Sequence, residues 1–278
     1  MTLPPNAHMR RDAFFEAVAR GRALMGILNV TPDSFSDGGK FDSPAAALAH
    51  ARALAAAGAD IIDVGAESTR PGHTPLSAAE EIARLKGLLP GLVENVDAPF
   101  SIDTYKAQTA QFALGLGVAI VNDVWGLQHD PDMAHVVAQA GAGLVIMHNR
   151  ETRDESIDIA EDMKRFFEKS LAIARAAGVP ERFIVLDPGV GFGKTRAQNW
   201  RALAATNELA NAFGLPILIG VSRKSMFGAL LGADMDARLV GTLAANIDAA
   251  RRGARIFRVH DVAEHKAAFA VLDAIDHA

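Results

Sequence analysis

The feature that most constrains this chain is an eightfold alternation. Short apolar runs end, one after another, at Asn29, Asp63, Asp103, Asn122, His148, Asp187, Ser222 and His260. Alanine- and leucine-rich stretches follow them, and their spacing predicts helices over 44–57, 78–94, 107–114, 132–140, 159–177, 198–212, 237–252 and 262–275. Continuous apolar runs this short are the pattern of strands buried on both faces, as in a parallel sheet. Several helical stretches close on glycine just before the next strand, as at Gly58, Gly141, Gly178, Gly214 and Gly253. Eight strand-plus-helix units in 278 residues, with no Ser/Gly-rich linker, predict a (β/α)8 TIM barrel over residues 21–278. Residues 1–20 are expected to form an N-terminal cap segment with one short helix through Phe14, Phe15 and Val18. An open doubly wound sheet is the alternative, but it brings only its switch-point loops to a ligand. Eight polar strand ends favour the barrel, in which all of them converge on one mouth.

Composition narrows the function classes. The net charge of -5 and the lack of a long basic run argue against nucleic acid and anionic membranes as partners. With no cysteine there is no disulfide framework, thiolate metal site or thiol nucleophile. No apolar run approaches the ~18 residues of a membrane span. Arg10-Arg11 is followed by Asp12 and Glu16 rather than by the apolar core of a signal peptide. A soluble, cytoplasmic protein is the expectation.

The chemistry is expected at the strand ends. The first strand delivers Asn29 to the loop Val30-Thr31-Pro32-Asp33-Ser34-Phe35-Ser36-Asp37-Gly38-Gly39, where Phe35 either packs the loop down or closes on a ligand. Asp63 and Glu67 leave the second strand as acid–base candidates or, the favoured reading, as groups that orient neighbours. Thr69-Arg70-Pro71-Gly72 places a cation on a restrained turn, which suits an anion clamp. Asp103, Asn122-Asp123 and Asp187 put three acids and an amide around one mouth. Buried carboxylates need donors. Lys224 is one candidate, and a ligand with an amino-pyrimidinone edge is another.

Gly189-Val190-Gly191-Phe192-Gly193-Lys194-Thr195 is not a phosphate loop, because Pro188 stands where the first glycine of that motif belongs. Its glycines are expected to let the backbone approach a flat ligand. In Ser222-Arg223-Lys224-Ser225, Lys224 can be a Schiff-base nucleophile, a charge partner or a donor. By alternation Arg258 and His260 point the same way, an arrangement suited to an anionic group near the last strand.

These motifs together resemble the signatures of the dihydropteroate synthase family, from about Leu24 to the C-terminus and in the same order. The resemblance implies a pterin-binding barrel that condenses 6-hydroxymethyl-7,8-dihydropterin pyrophosphate with p-aminobenzoate, giving 7,8-dihydropteroate and pyrophosphate. It implies a pterin pocket of Asp103, Asn122, Asp187 and Lys224, with Arg258 against the ring and reaching the pyrophosphate. Pyrophosphate would also meet His260, Asn29 and Thr69. Asn29 and Asp37 would ligate Mg2+. Phe35, Thr69, Arg70, Pro71, Phe192 and Ser222 would line the p-aminobenzoate site, and Lys224, Arg258, His260 and Asp37 would carry the catalysis. A dissociative, SN1-like displacement follows. The chain departs from the family pattern after Met147-His148, where Asn149-Arg150-Glu151-Thr152-Arg153 replaces the usual glycine- or proline-containing loop.

The rivals are a methyltetrahydrofolate-type methyltransferase, which should lack both the Thr31–Asp37 motif and the Arg258-Val259-His260 end, an aldolase-type lyase using Lys224 covalently, and a non-catalytic pterin-binding protein. The resemblance also implies a homodimer, and the stretch 239–250, with Asp248 its only charge, is the candidate surface.

Overall fold

A computed structural model describes residues 2–30, 43–67, 74–231 and 235–278, residues 235–237 by backbone alone. Eight parallel strands close into a barrel: β1 (Ala23–Asn29), β2 (Ile61–Gly65), β3 (Phe100–Asp103), β4 (Ile120–Asp123), β5 (Gly143–Met147), β6 (Ile184–Asp187), β7 (Ile217–Ile219) and β8 (Ala254–Val259). β8 pairs back onto β1 through Met25↔Arg258 and Gly26↔Val259. The (β/α)8 expectation therefore holds.

Helices surround the barrel. α1 (Pro5–Arg20) precedes β1, and α2 (Pro44–Ala56) leads to β2. The stretch read as one helix over 78–94 is two, α3 (Ala78–Lys86) and α4 (Leu89–Asn95), broken at Gly87-Leu88 with Pro90 in the first turn of α4. Ser77 and Glu80 form a capping box at the start of α3. α5 (Ala107–Gly115), α6 (Met133–Ala140) and α7 (Ile159–Ala177) follow. The stretch 198–212 also divides, into α8 (Arg196–Ala204) and α9 (Thr206–Phe213), where the Thr206 hydroxyl donates to the Leu203 carbonyl at 2.7 Å. α10 (Ser225–Leu231) was not expected, and α11 (Met235–Arg251) and α12 (Val262–Asp276) complete the ring.

Two-residue alternation organises the barrel interior. Met25, Ile61, Ile120, Val145, Val185, Leu218 and Ile256 form a buried apolar layer, closed from below by Phe14, Ala17 and Val18 of α1. Two residues further along the same strands stand Asp63 above Ile61, Asn122 above Ile120, Asp187 above Val185 and Arg258 above Ile256. The core thus fills the lower half, and a polar layer begins abruptly above it at the C-terminal mouth.

Candidate active site

Asn29, Gly65, Asp103 and Asn122 are register partners across four consecutive strands, so they form one rung at the mouth. Beneath them Asp63 is fully buried. Its carboxylate accepts from Ser101 Oγ at 2.6 Å, Asn122 Nδ2 at 3.1 Å and Arg258 Nε at 2.6 Å. Arg258 Nη2 donates to Asp103 Oδ2 at 2.9 Å. Burial works against the Arg258 charge, but Asp63 and Asp103 more than offset it and hold its pKa above the ordinary arginine value. Asp63 is thus the orienting carboxylate that was the favoured reading. Asp103 behaves differently: burial, opposed by Arg258, pushes it up to about 7.

This layer leaves acceptors unused. Among the described residues, Asp103 Oδ1 and Asn122 Oδ1 are buried side-chain oxygens without a hydrogen-bond partner. Such groups are rare in folded proteins and need a donor. Across the mouth Asp187 is 5 % exposed, and its Oδ1 accepts the Gly189 N–H at 2.7 Å. Burial raises its pKa, with the Gly189 N–H and Lys224 opposing. Asp123, the third acid of the expected cluster, does not join; its carboxylate instead caps the next turn, accepting from Trp125 N at 2.9 Å and Leu127 N at 2.7 Å.

Lys224 stands between Asp187 and the loop after β6. Its Nζ donates to the Val190 carbonyl and lies 4.8 Å from the centroid of the Phe192 ring. Burial lowers its pKa to about 8, against the Asp187 carboxylate. β7 stops at Ile219, three residues short of the expected end, and Ser222–Lys224 sit on the turn beyond it. Arg223 takes a left-handed φ of 56° there, its N–H donating to Thr242 Oγ1 at 3.0 Å and its guanidinium paired with Asp261. Ser222 meets His260: the hydroxyl is 2.9 Å from Nδ1 and accepts the His260 backbone N–H at 3.2 Å.

The glycines after β6 have a different use from the one expected. A Cβ on Gly189 (φ 62°) would collide with the His148 carbonyl, and one on Gly193 (φ 55°) with that of Arg150. Gly189 and Gly193 permit close approach to the chain leaving β5, while Gly191 gives room to the Lys224 side chain. Lys194 is buried and folds back, with Nζ 2.8 Å from His148 Nδ1 and from the Gly189 carbonyl and 3.1 Å from that of Phe192. This agrees with rejecting a phosphate loop. His148 Nε2 faces Asp162 at 3.2 Å, and Arg150 donates to the same carboxylate at 2.5 Å. The atypical segment after β5 is thereby held in place, with Asn149 Nδ2 donating to the Val124 carbonyl at 3.0 Å.

Asn29 is at the end of β1, its Oδ1 over Gly65, where a Cβ would be 3.2 Å away. Phe35, Asp37, Thr69, Arg70 and Pro71 lie outside the described residues. The structure therefore gathers Asn29, Asp103, Asn122, Asp187, Phe192, Ser222, Lys224, Arg258 and His260 at one mouth. Lys194 and His148 were not picked out as site residues; the only signal was a lysine closing a three-glycine loop.

A family model for pterin-binding enzymes matches residues 25–260. A dihydropteroate synthase of Clostridium beijerinckii is 44% identical over 253 residues, covering 91% of this chain and 93% of its own. A dihydropteroate synthase of Clostridium difficile, solved in the presence of pteroic acid, is 48% identical with a TM-score of 0.87, covering 92% of this chain and 97% of its own. That of Xanthomonas albilineans, solved with 4-aminobenzoic acid, is 39% identical with a TM-score of 0.87, covering 93% and 94%.

Proposed function

The chain belongs to the pterin-binding enzymes, and from its kinship with the dihydropteroate synthases we propose how its own residues divide the work of that reaction. The protein is a transferase that joins 6-hydroxymethyl-7,8-dihydropterin pyrophosphate to p-aminobenzoate and releases pyrophosphate. The observation that supports the site assignment is the pair of buried acceptors Asp103 Oδ1 and Asn122 Oδ1, which have no partner among the described residues. The pterin edge presents N–H donors to both, and Asp187 and Lys224 complete the pocket from β6 and the turn after β7. Lys224 serves as a donor to the ring; its amine is already engaged by Val190 and is coupled by charge to the Asp187 carboxylate.

Arg258, aligned by Asp63 and Asp103, lies along the pterin and reaches the departing pyrophosphate, which His260 meets from the end of β8. Positive charge at the leaving group and carboxylates beside the pterin both favour a dissociative step, in which the C–O bond breaks before the aniline nitrogen attacks. The aniline nitrogen needs no strong base before attack, and water must be kept from the cation. Phe35, Thr69, Arg70 and Pro71 are assigned with Phe192 and Ser222 to the p-aminobenzoate site, and Thr69 also to pyrophosphate. Ser222 links the two halves. With its hydrogen on His260 Nδ1 it leaves the imidazole N–H on Nε2 for the pyrophosphate.

The donor set fits Mg2+. The amide oxygen of Asn29 and the carboxylate of Asp37 are hard ligands, and Mg2+ takes few protein ligands, filling its shell with water and substrate phosphates. Gly65 leaves space beside Asn29 Oδ1. When bound, the ion supplies charge neutralisation to the pyrophosphate. Assembly as a homodimer is proposed as well: Leu230 and Leu231 of α10 and Val240 of α11 are 67%, 47% and 64% exposed, an apolar surface on adjoining helices. Among the described residues no helix is long and apolar enough to cross a membrane; cytoplasmic residence is part of the proposal.

The experiment is pyrophosphate release by the purified protein. Release that requires both substrates and Mg2+ supports the assignment. Pterin binding without release would favour a non-catalytic binding protein, and a borohydride-stable adduct on Lys224 would favour a lyase.

A further inference from the structure

We propose that Lys194 is a positioning residue for this reaction: its buried side chain builds the turn after β6 that fixes Lys224 and Phe192. The proposal rests on the reading of Lys224 as pterin donor and Phe192 as part of the p-aminobenzoate site.

Lys194 is 2% exposed, and every acceptor around its Nζ belongs to the walls of that turn or to the chain leaving β5. Gly189 and Phe192 offer carbonyls at 2.8 and 3.1 Å, and His148 offers Nδ1 at 2.8 Å. Asp162 determines which form is present. Its carboxylate faces His148 Nε2, so Nε2 carries the imidazole proton and Nδ1 is an acceptor. These three shorter contacts take three N–H donors, which only the ammonium has, and the His148 carbonyl is a fourth, longer acceptor at 3.4 Å. Burial pulls the Lys194 pKa down to about 7, with Asp187 opposing, and these acceptors are what keep the proton in place.

The two carbonyls that Lys194 holds bracket Val190 and Gly191. Val190 is 1% exposed, its carbonyl accepts from Lys224, and the Phe192 ring lies under the Lys224 ammonium. A Cβ on Gly191 would be 3.2 Å from the Lys224 chain, so the turn and that side chain are in direct register. Lys194 touches neither substrate pocket itself. It acts by closing the turn from behind, and the Arg150–Asp162–His148 series ties it to β5 and α7. Without the ammonium, three acceptors lose their donor, and the turn that aims Val190 and Phe192 loses its anchor.

The test compares Lys194→Met and Lys194→Gln with Leu209→Ala, a destabilising core-cavity variant on α9 at a fully buried position. Lys194→Gln retains an N–H2 for part of the acceptor set and serves where Lys194→Met does not fold. Two readouts are followed: Lys224, by 13Cε NMR titration assigned through Lys224→Met, and steady-state kinetics for both substrates. Expected for Lys194→Met are a Lys224 titration displaced below its wild-type value, because the loss of an acceptor and a ring face outweighs relief from the Lys194 charge, and kcat/KM for p-aminobenzoate reduced by roughly ten- to a hundredfold. Lys194→Gln should fall between it and wild type, and Leu209→Ala should change neither readout. A Lys224 titration unmoved or raised in both Lys194 variants, or equal kinetic losses in Leu209→Ala, would overturn the proposal. The NMR readout needs no turnover, so a wild-type protein that released no pyrophosphate would remove the functional reading while the link from Lys194 to Lys224 was still decided.

Discussion

Replacing Asp63 by Asn tests whether the polar layer is organised from beneath the substrate. The substitution conserves size and removes one charge from a group with no exposed surface. Ser101 can reverse its hydroxyl and accept, so the new amide nitrogen turns toward Ser101 Oγ, 2.6 Å from Oδ1, and its oxygen stays with Asn122 and Arg258. The hydrogen bonds largely survive, and the loss is electrostatic. Removing one partner of a buried pair costs about 3–5 kcal/mol. Arg258 retains Asp103 at 2.9 Å, which places the expected loss near the lower end, about 3 kcal/mol. A second effect follows from sign. The Asp63 charge is one of the influences raising the Asp103 pKa, after burial, so its removal should lower that pKa from about 7. Urea unfolding gives the first quantity and 13C NMR titration of the carboxylates the second. A stability change below about 1 kcal/mol, together with an unmoved Asp103 titration, would refute the view that Asp63 holds Arg258 in place.

Three further outcomes are expected. Light scattering at micromolar concentration should give a dimer mass, and a monomer would end the proposal built on Leu230, Leu231 and Val240. Pterin plus pyrophosphate should tighten p-aminobenzoate binding by about 5- to 150-fold, and Ser222→Ala should shrink that gain; equal affinity with and without the first ligands would show a preformed site. His148 is held neutral by burial, its pKa lowered to about 4, so between pH 4 and 6.5 the unfolded chain binds the extra proton. The stability this residue contributes is therefore complete above pH 6.5 and lost as pH falls toward 4, a swing of about 3 kcal/mol. Asp103 and Asp123, raised to about 7 and about 6, run the other way, losing stability as pH rises, so the measurement is the difference between wild type and His148→Gln. That difference should widen in favour of wild type as pH rises through the window, and a constant difference would contradict it.

Much of this arrangement was legible because strand alternation is a local rule. Ile61 to Asp63, Val185 to Asp187 and Ile256 to Arg258 each step from core to mouth in two residues, so polar strand ends could be read as one site before any coordinates. What escaped depends on contacts distant in sequence. Nothing near Gly193 indicates that its neighbour Lys194 reaches back to His148, 46 residues earlier. The glycines of that loop answer to carbonyls of the chain after β5, a demand visible only once β5 and β6 lie side by side. Asp123 looked equivalent to Asn122, yet alternation turns it away from the mouth to cap a turn. Of the two divided helices, the break in 78–94 is written in Gly87, Pro90 and Gly91, which disfavour a continuous helix, whereas the break in 198–212 falls at Ala205, where propensity favours continuity.

The most direct measurement is calorimetric titration of Asp187→Asn with a pterin pyrophosphate analogue. Asp187 is buried at the mouth, and the exchange replaces an acceptor proposed to face the pterin N–H edge with a donor while keeping the side chain's size. A loss of about a hundredfold or more in affinity, with the variant still folded by circular dichroism, is expected for a buried charged hydrogen bond lost to a ligand. Wild-type affinity in the variant would contradict it and remove Asp187, and with it the strand-end pocket, from pterin binding.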